Sequence, residues 1–140
     1  MKALLTVATG LVFLMSAAAQ DDDAAVKKDK GLLKGTWKFL SLETEEGKKD
    51  DFESATLSFD GDKMEFKKGD ETKTGTYSIN PAGKPKEIDL KADDKEMQGI
   101  YKFDKETLLI CICPGPNQTR PNEFAAKNPY VLATLKRQKE

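Results

Sequence analysis

The chain has 140 residues, of which 23 are Lys or Arg and 24 are Asp or Glu, so the formal net charge is −1. The two signs are interspersed without a basic stripe, so we expect no nucleic-acid partner. The chain contains no histidine, which excludes Ser–His and Cys–His nucleophile pairs and His-ligated zinc or iron. We therefore expect neither an enzyme nor a cofactor or metal site.

The first 19 residues have the pattern of a signal peptide. A basic start is followed by an apolar run over residues 4–15 and an A-x-A cleavage site at residues 17–19. The run is too short to span a bilayer, and no second run follows it. We expect an exported protein, periplasmic or extracellular, with no membrane span after signal cleavage. The alternative is a buried N-terminal helix.

Residues 20–31 are predicted to form an N-terminal arm or short helix. Asp23 would cap a helix over residues 24–30, lysines would occupy its last turn, and Gly31 would lie just past its end.

From Gly35 onward, short alternating apolar and polar runs are separated by turn residues, which is typical of an antiparallel β meander. The pattern predicts eight strands, at residues 36–43, 55–59, 63–67, 72–79, 86–92, 97–103, 107–113 and 130–137. No crossover helices intervene, which excludes a parallel sheet. We expect an all-β domain over residues 32–138, an eight-stranded antiparallel up-and-down barrel that leaves no sheet edges. A two-sheet sandwich is the alternative.

Residues 114–129 form the one long connection, and we expect it to cover one end of the barrel. It contains Arg120, Glu123 and Phe124 in the stretch RPNEF. Arg120 and Glu123 could pair and fix the connection, with Phe124 as an apolar anchor. Alternatively, Arg120 could contact a carboxylate or phosphate of a ligand at the barrel mouth.

The stretch LKGTWKFLSLE (33–43) resembles the G-x-W first strand of lipocalin-like barrels. Further stretches in order along the chain resemble one family of small exported lipocalin-like domains of uncharacterised function, abundant in planctomycete bacteria; they are LSFDGDKMEF, GTYSINPAGKPKEIDL, GIYKFDKETLLIC, RPNEF and LATLKR. The resemblance implies a lipocalin-like barrel and no particular activity. It also implies that Trp37 packs at the closed end beneath Arg137, with Gly35 completing the motif.

The only two cysteines, Cys111 and Cys113, lie two residues apart on a predicted strand and therefore point to the same face. Their α-carbons would be roughly 6.5–7 Å apart, at or beyond the usual limit for a disulfide. A Cys111–Cys113 bridge is the less favoured alternative, because it would need a kink, which Pro114 could permit, and an oxidising compartment, which export would supply. Two thiolates without histidine or further cysteine make a poor metal site. We expect two small apolar residues on one strand face; Leu108, Ile110 and Ile112 compete with them for the barrel interior.

Aromatic residues at alternating strand positions predict a barrel interior that is filled or that holds one small ligand. Tyr77, Tyr101 and Phe103 are the predicted ligand contacts, together with Arg120. The leading functional prediction is non-catalytic binding of a small apolar or amphipathic molecule. The alternative is a structural or protein-interaction module with a filled barrel, whose protein partner the sequence does not identify. An enzyme that uses carboxylates or tyrosines is a third hypothesis.

Overall fold

The computed structural model describes residues 24–114 and 119–138. The predicted signal peptide and the capping residue Asp23 lie outside the described residues. Helix α1 spans residues 24–33 and a 3-10 turn spans Asp50–Phe52. The strands are β1 (Gly35–Thr44), β2 (Gly47–Lys48), β3 (Thr56–Asp60), β4 (Lys63–Lys68), β5 (Glu71–Asn80), β6 (Glu87–Ala92), β7 (Lys95–Asp104), β8 (Thr107–Cys113) and β9 (Val131–Arg137).

The strands form an antiparallel sheet that closes on itself as an eight-stranded barrel. β1 and β3 to β9 are neighbours in chain order, and β9 pairs with β1 to close the ring. β2 adds a two-residue hairpin at the end of β1. The predicted all-β, up-and-down barrel with a short helix is therefore confirmed, and the sandwich alternative is wrong. β2 and the 3-10 turn were not predicted, because the stretch that contains them is almost entirely polar.

Strict alternation along the strands builds the core. One face of each strand contributes buried apolar side chains, including Trp37, Phe59 and Leu135, to a single interior cluster. A bulge between Phe39 and Ser41 interrupts the pairing of β1 with β9. The extra residue, Leu40, is half exposed, and the strand resumes its inward alternation at Leu42.

Two inward-facing glycines allow the strands to bend. A Cβ atom at Gly75 would lie 2.1 Å from the carbonyl oxygen of Lys91, and one at Gly99 would lie 2.5 Å from that of Cys111. Any larger residue would push the neighbouring backbone away, so these two positions require glycine.

Helix α1 closes one end of the barrel and is longer than predicted. Gly31 lies within the helix rather than past its end. Leu33 is fully buried in the core, and the amide of Lys34 still donates to the carbonyl of Lys30 at 2.9 Å. Burial of Leu33 outweighs the preference of glycine for a helix terminus.

The described part of the long connection between β8 and β9, residues 119–129, packs on the outer wall of the barrel rather than over one end, so the prediction is wrong for this part; residues 115–118 lie outside the described residues. Arg120 donates to the carbonyl of Gly99 at 2.8 Å, and Pro121 is fully buried. The carbonyl of Ala125 lies 3.6 Å from the Sγ atom of Cys111. The described part of the connection therefore covers the outer face of β6, β7 and β8.

Candidate functional site

The barrel interior contains a cavity of about 340 Å3 at the end opposite α1. All but one of its lining residues are apolar. They are Phe39, Leu42, Phe52, Leu57, Met64, Phe66, Leu90, Ala92, Met97, Ile110, Ile112, Pro114, Val131, Ala133 and the single charged residue, Lys73. All of them except Phe52, from the 3-10 turn, and Pro114, which follows β8, come from β1 and β3 to β9, because each of these strands directs alternate side chains inward. This arrangement can hold an apolar group away from water.

Three phenylalanines form a cluster at this end, which we call the phenylalanine triad. The ring centroids of Phe39 and Phe66 are 5.8 Å from one another, and Phe52 lies 5.8 Å from the first and 6.1 Å from the second. Phe52 comes from the 3-10 turn, where Nζ of Lys68 lies 4.3 Å above its ring and 2.8 Å from Oδ2 of Asp51. The hydrogen bond from Lys68 lowers the pKa of Asp51. The triad therefore partly covers the cavity.

A buried polar network occupies the closed end. Asp29 of α1 is 3% exposed and accepts hydrogen bonds from the Tyr101 hydroxyl at 2.7 Å and from Nζ of Lys86 at 2.9 Å. Burial, together with the neighbouring Asp29, raises the pKa of Tyr101 well above its ordinary value. These bonds tie α1 to the turn before β6 and to β7.

Tyr77 is also buried at the closed end. Its hydroxyl has no hydrogen-bond partner among the described residues. Burial raises its pKa, and the charge of Asp62 adds to the shift. Lys30 forms an ion pair with Asp62, and its Nζ lies 5.5 Å from the centre of the Tyr77 ring.

None of the four residues predicted to contact a ligand lines the interior cavity. Tyr101 and Phe103 instead border a separate cleft of about 350 Å3, which also involves Lys86, Lys102 and Phe124. Tyr77 packs against Phe59 beneath α1. The structure brings the two tyrosines and Phe103 to the same end of the barrel, which is the end that α1 closes.

Arg120 is held by acidic groups on the outer wall. Its Nη1 atom lies 2.9 Å from Oδ1 of Asp89, and its Nε atom lies 3.8 Å from Oε2 of Glu87. It does not pair with Glu123, which instead lies 3.5 Å from Lys127. Two carboxylates and the backbone carbonyls of Ile88 and Gly99 already surround the guanidinium group, so a ligand anion would meet a negative environment.

Trp37 and Arg137 lie together at the closed end. The guanidinium carbon of Arg137 is 4.3 Å from the centre of the Trp37 ring, and its two terminal nitrogens donate to the carbonyls of Lys34, at 2.8 Å, and Leu32. The indole nitrogen of Trp37 donates to the carbonyl of Leu33 at 2.8 Å. The pair therefore binds the end of α1.

Gly35 makes the approach of Arg137 geometrically feasible. Its φ of +118° lies in a region that side chains disfavour, and a Cβ atom there would lie 3.1 Å from Nη1 of Arg137. In the G-x-W motif, Gly35 thus supplies the backbone conformation and the space for Arg137, and Trp37 supplies the aromatic ring that Arg137 contacts.

Cys111 and Cys113 are free thiols, buried between the outer face of β8 and the long connection. Leu108 and Ile110 face the interior instead. Burial raises the pKa of Cys111, which keeps this thiol in its unreactive protonated form.

Phe124 of the long connection also contacts the outer wall, where Nζ of Lys102 lies 4.6 Å above its ring. Within residues 24–114 and 119–138, no group of three His, Cys, Asp or Glu side chains is placed to hold a metal ion.

A second cleft, of about 550 Å3, lies against β3, β4 and β5. Its lining includes the polar side chains of Ser58, Lys63, Glu65, Thr74 and Thr76. It is larger than the interior cavity but offers an apolar ligand less protection from water.

Sequence reasoning missed the residues that distinguish the cavity. Phe52 lies in the polar stretch DDFES, which has no strand periodicity. Lys73 shares the alternation of Gly75 and Tyr77, and this spacing could have identified it as an inward-facing position.

No family model matches the chain, and neither a curated protein nor a solved structure is similar to it. Across the described part of the chain, no helix combines the length and the apolar character needed to cross a membrane.

Proposed function

We propose that the protein is an exported, non-catalytic, lipocalin-like binder that holds a small apolar or amphipathic molecule inside its barrel. The observation that carries the proposal is the interior cavity of about 340 Å3, whose lining is apolar except for Lys73. Small-molecule sites are typically concave and mostly apolar, with few polar groups that fix orientation. Export is proposed from the N-terminal sequence pattern alone.

The cavity volume limits the size of the ligand. It lies near the lower end of the range of small-molecule sites, roughly 300–1,000 Å3. A dry apolar cavity of about 150 Å3 accommodates one benzene molecule. By the same ratio, a ligand of roughly a dozen carbon atoms would fill the cavity of this barrel.

The alternative, a structural or protein-interaction module, assumes a filled barrel. A packed interior leaves few voids larger than a water molecule. A cavity of about 340 Å3 exceeds such a void several-fold, and its opening lies at the end away from α1. The cavity therefore favours ligand binding over the alternative.

The test uses a neutral fluorescent probe that is smaller than this limit, 1-naphthylamine, whose emission shifts to shorter wavelengths in apolar surroundings. We expect the probe to bind the wild-type protein and to fail to bind Ala133→Phe, because the added ring occupies the cavity that Ala133 lines. Thr74→Phe is the matched control, since it adds the same ring to the second cleft.

Thermal unfolding of each variant, followed by circular dichroism, shows that the barrel is intact. Equal binding to the wild type and to a folded Ala133→Phe variant would contradict the proposal. Loss of binding in Thr74→Phe alone would place the probe in the second cleft and would also contradict it. A wild-type protein that does not bind the probe would favour the filled-barrel module.

A further inference from the structure

Among the residues that the structure describes, Lys73 is the only charged one in the lining of the interior cavity. It lies on β5 opposite Phe66 of β4, and its position shares the inward alternation of Gly75 and Tyr77. Its side chain is 53% exposed. An amphipathic side chain in this position lays its alkyl stem along the apolar wall and keeps its ammonium group in water. Lys73 therefore places a positive charge at the rim of an apolar cavity.

The ammonium group of Lys73 is only weakly engaged. Its nearest acidic partner is Glu71, whose Oε1 lies 3.7 Å from Nζ. That distance is longer than a hydrogen bond, so the donors of Lys73 stay available to another oxygen. Lys68, the neighbouring lysine at this end, lies only 2.8 Å from Asp51. Lys73 is thus the lysine at the rim that is better placed to accept an anion.

We infer that the ligand is an amphipathic anion, with its apolar tail in the interior cavity and its negative group bound by Lys73 at the rim. The inference rests on the proposed function and specifies its ligand class. A cavity without charge would not discriminate among an alcohol, a carboxylate and an ammonium of equal chain length. The weakly paired cation at the rim, Lys73, favours the carboxylate and disfavours the ammonium. A medium-chain carboxylate has a tail of the size that the cavity holds and a negative charge that complements Lys73.

The experiment measures binding of decanoate and of decan-1-ol by isothermal titration calorimetry at pH 7 and low ionic strength. The quantity of interest is the ratio of the two association constants, because the two probes differ in hydrophobicity even without the protein. We expect Lys73→Met to lower this ratio roughly two- to fivefold, the range for a half-exposed ion pair. Added salt should reduce the ratio in the wild type more than in the variant.

Two further variants separate a specific role of Lys73 from a general effect of charge. Lys67→Met removes a lysine at the same end whose Nζ lies 3.2 Å from Glu65, outside the cavity lining; it should leave the ratio unchanged. Glu71→Gln removes the carboxylate that competes for Lys73, so it should raise the affinity for decanoate without raising that for decanol. Such a gain cannot result from misfolding.

The outcomes distinguish this inference from the proposed function. Binding of both probes with a ratio that Lys73→Met does not change would overturn the inference and leave the binding function intact. The same conclusion would follow if Lys67→Met lowered the ratio as much as Lys73→Met, or if Glu71→Gln weakened decanoate binding. A wild-type protein that binds neither probe would overturn the proposed function as well.

Discussion

Replacing Arg137 with methionine should release the C-terminal end of α1 from the barrel. Methionine keeps an unbranched apolar stem over Trp37 but removes the guanidinium group. The variant therefore loses the bonds to the carbonyls of Leu32 and Lys34 and the contact with the indole ring. The Leu32 carbonyl lies in the last turn of α1 and the Lys34 carbonyl lies just past its end, where carbonyl groups have no partner within the helix.

The expected loss can be estimated from these contacts. Each hydrogen bond contributes about 0.5–1.5 kcal/mol net, and an exposed cation–π contact contributes about 0.5–1 kcal/mol. Because Arg137 is exposed, water can partly replace the lost donors, so we expect a total near the lower end of the summed range, about 2 kcal/mol. For a domain of this size, that corresponds to a decrease in Tm of roughly 8 °C.

The assay is urea unfolding followed by circular dichroism, with Lys136→Met as the control. Lys136 is the exposed neighbour on β9, and its replacement should change the free energy of unfolding by less than about 0.5 kcal/mol. In a Trp37→Phe background, Arg137→Met should cost less, because the indole contact is already weakened. If Arg137→Met costs no more than Lys136→Met, the contacts with Leu32, Lys34 and Trp37 do not hold the helix.

Three further predictions concern the buried polar groups. Asp29→Asn should lower the free energy of unfolding in urea by about 1–3 kcal/mol, because Lys86 loses a charged partner next to a buried site; unchanged stability would contradict the proposed tie between α1 and the barrel. The raised pKa values of Tyr77 and Tyr101 mean that the folded state holds their protons more tightly than the unfolded state. Their contribution to stability is therefore complete below the unfolded pKa of tyrosine, about 10, and is lost as the pH rises above it. In an alkaline titration, tyrosinate absorbance should increase together with loss of the barrel signal in circular dichroism. Ionisation of both residues in an intact barrel would refute this. Finally, burial of Cys111 predicts slow reaction with iodoacetamide in the native protein and fast reaction in urea; mass spectrometry that finds rapid native labelling would contradict its placement.

The fold could be predicted from the sequence because strand periodicity is local. Alternation identified each barrel strand to within a few residues, and the short turns between them left one simple topology. Residues without local periodicity were missed: Phe52 reaches the cavity from a 3-10 turn, and its position depends on contacts with Phe39 and Phe66 on distant strands.

The placement of the candidate ligand contacts required information that the sequence lacks. Tyr77 and Tyr101 were correctly predicted to lie on strands. They do not line the cavity because α1 closes the end of the barrel where they lie, and which end a helix closes depends on tertiary contacts. β8 presented a similar ambiguity, because Cys111 and Ile110 are both apolar and alternate along the strand. The long connection covers the outer face of β8, so both faces are buried and alternation alone could not assign the inward one.

Because the connection between β8 and β9 covers the outer face of β8, the barrel wall is thicker at β8 than at β5. Cys111 and Cys113 are buried beneath the connection, whereas Thr72, Thr74 and Thr76 on β5 are exposed to solvent. Amide hydrogens of β8 should therefore exchange with solvent only through global unfolding, and those of β5 through local opening. The β4–β5 hairpin contributes Phe66 and Lys73 to the cavity, so the thin side of the barrel is also one wall of the proposed binding site.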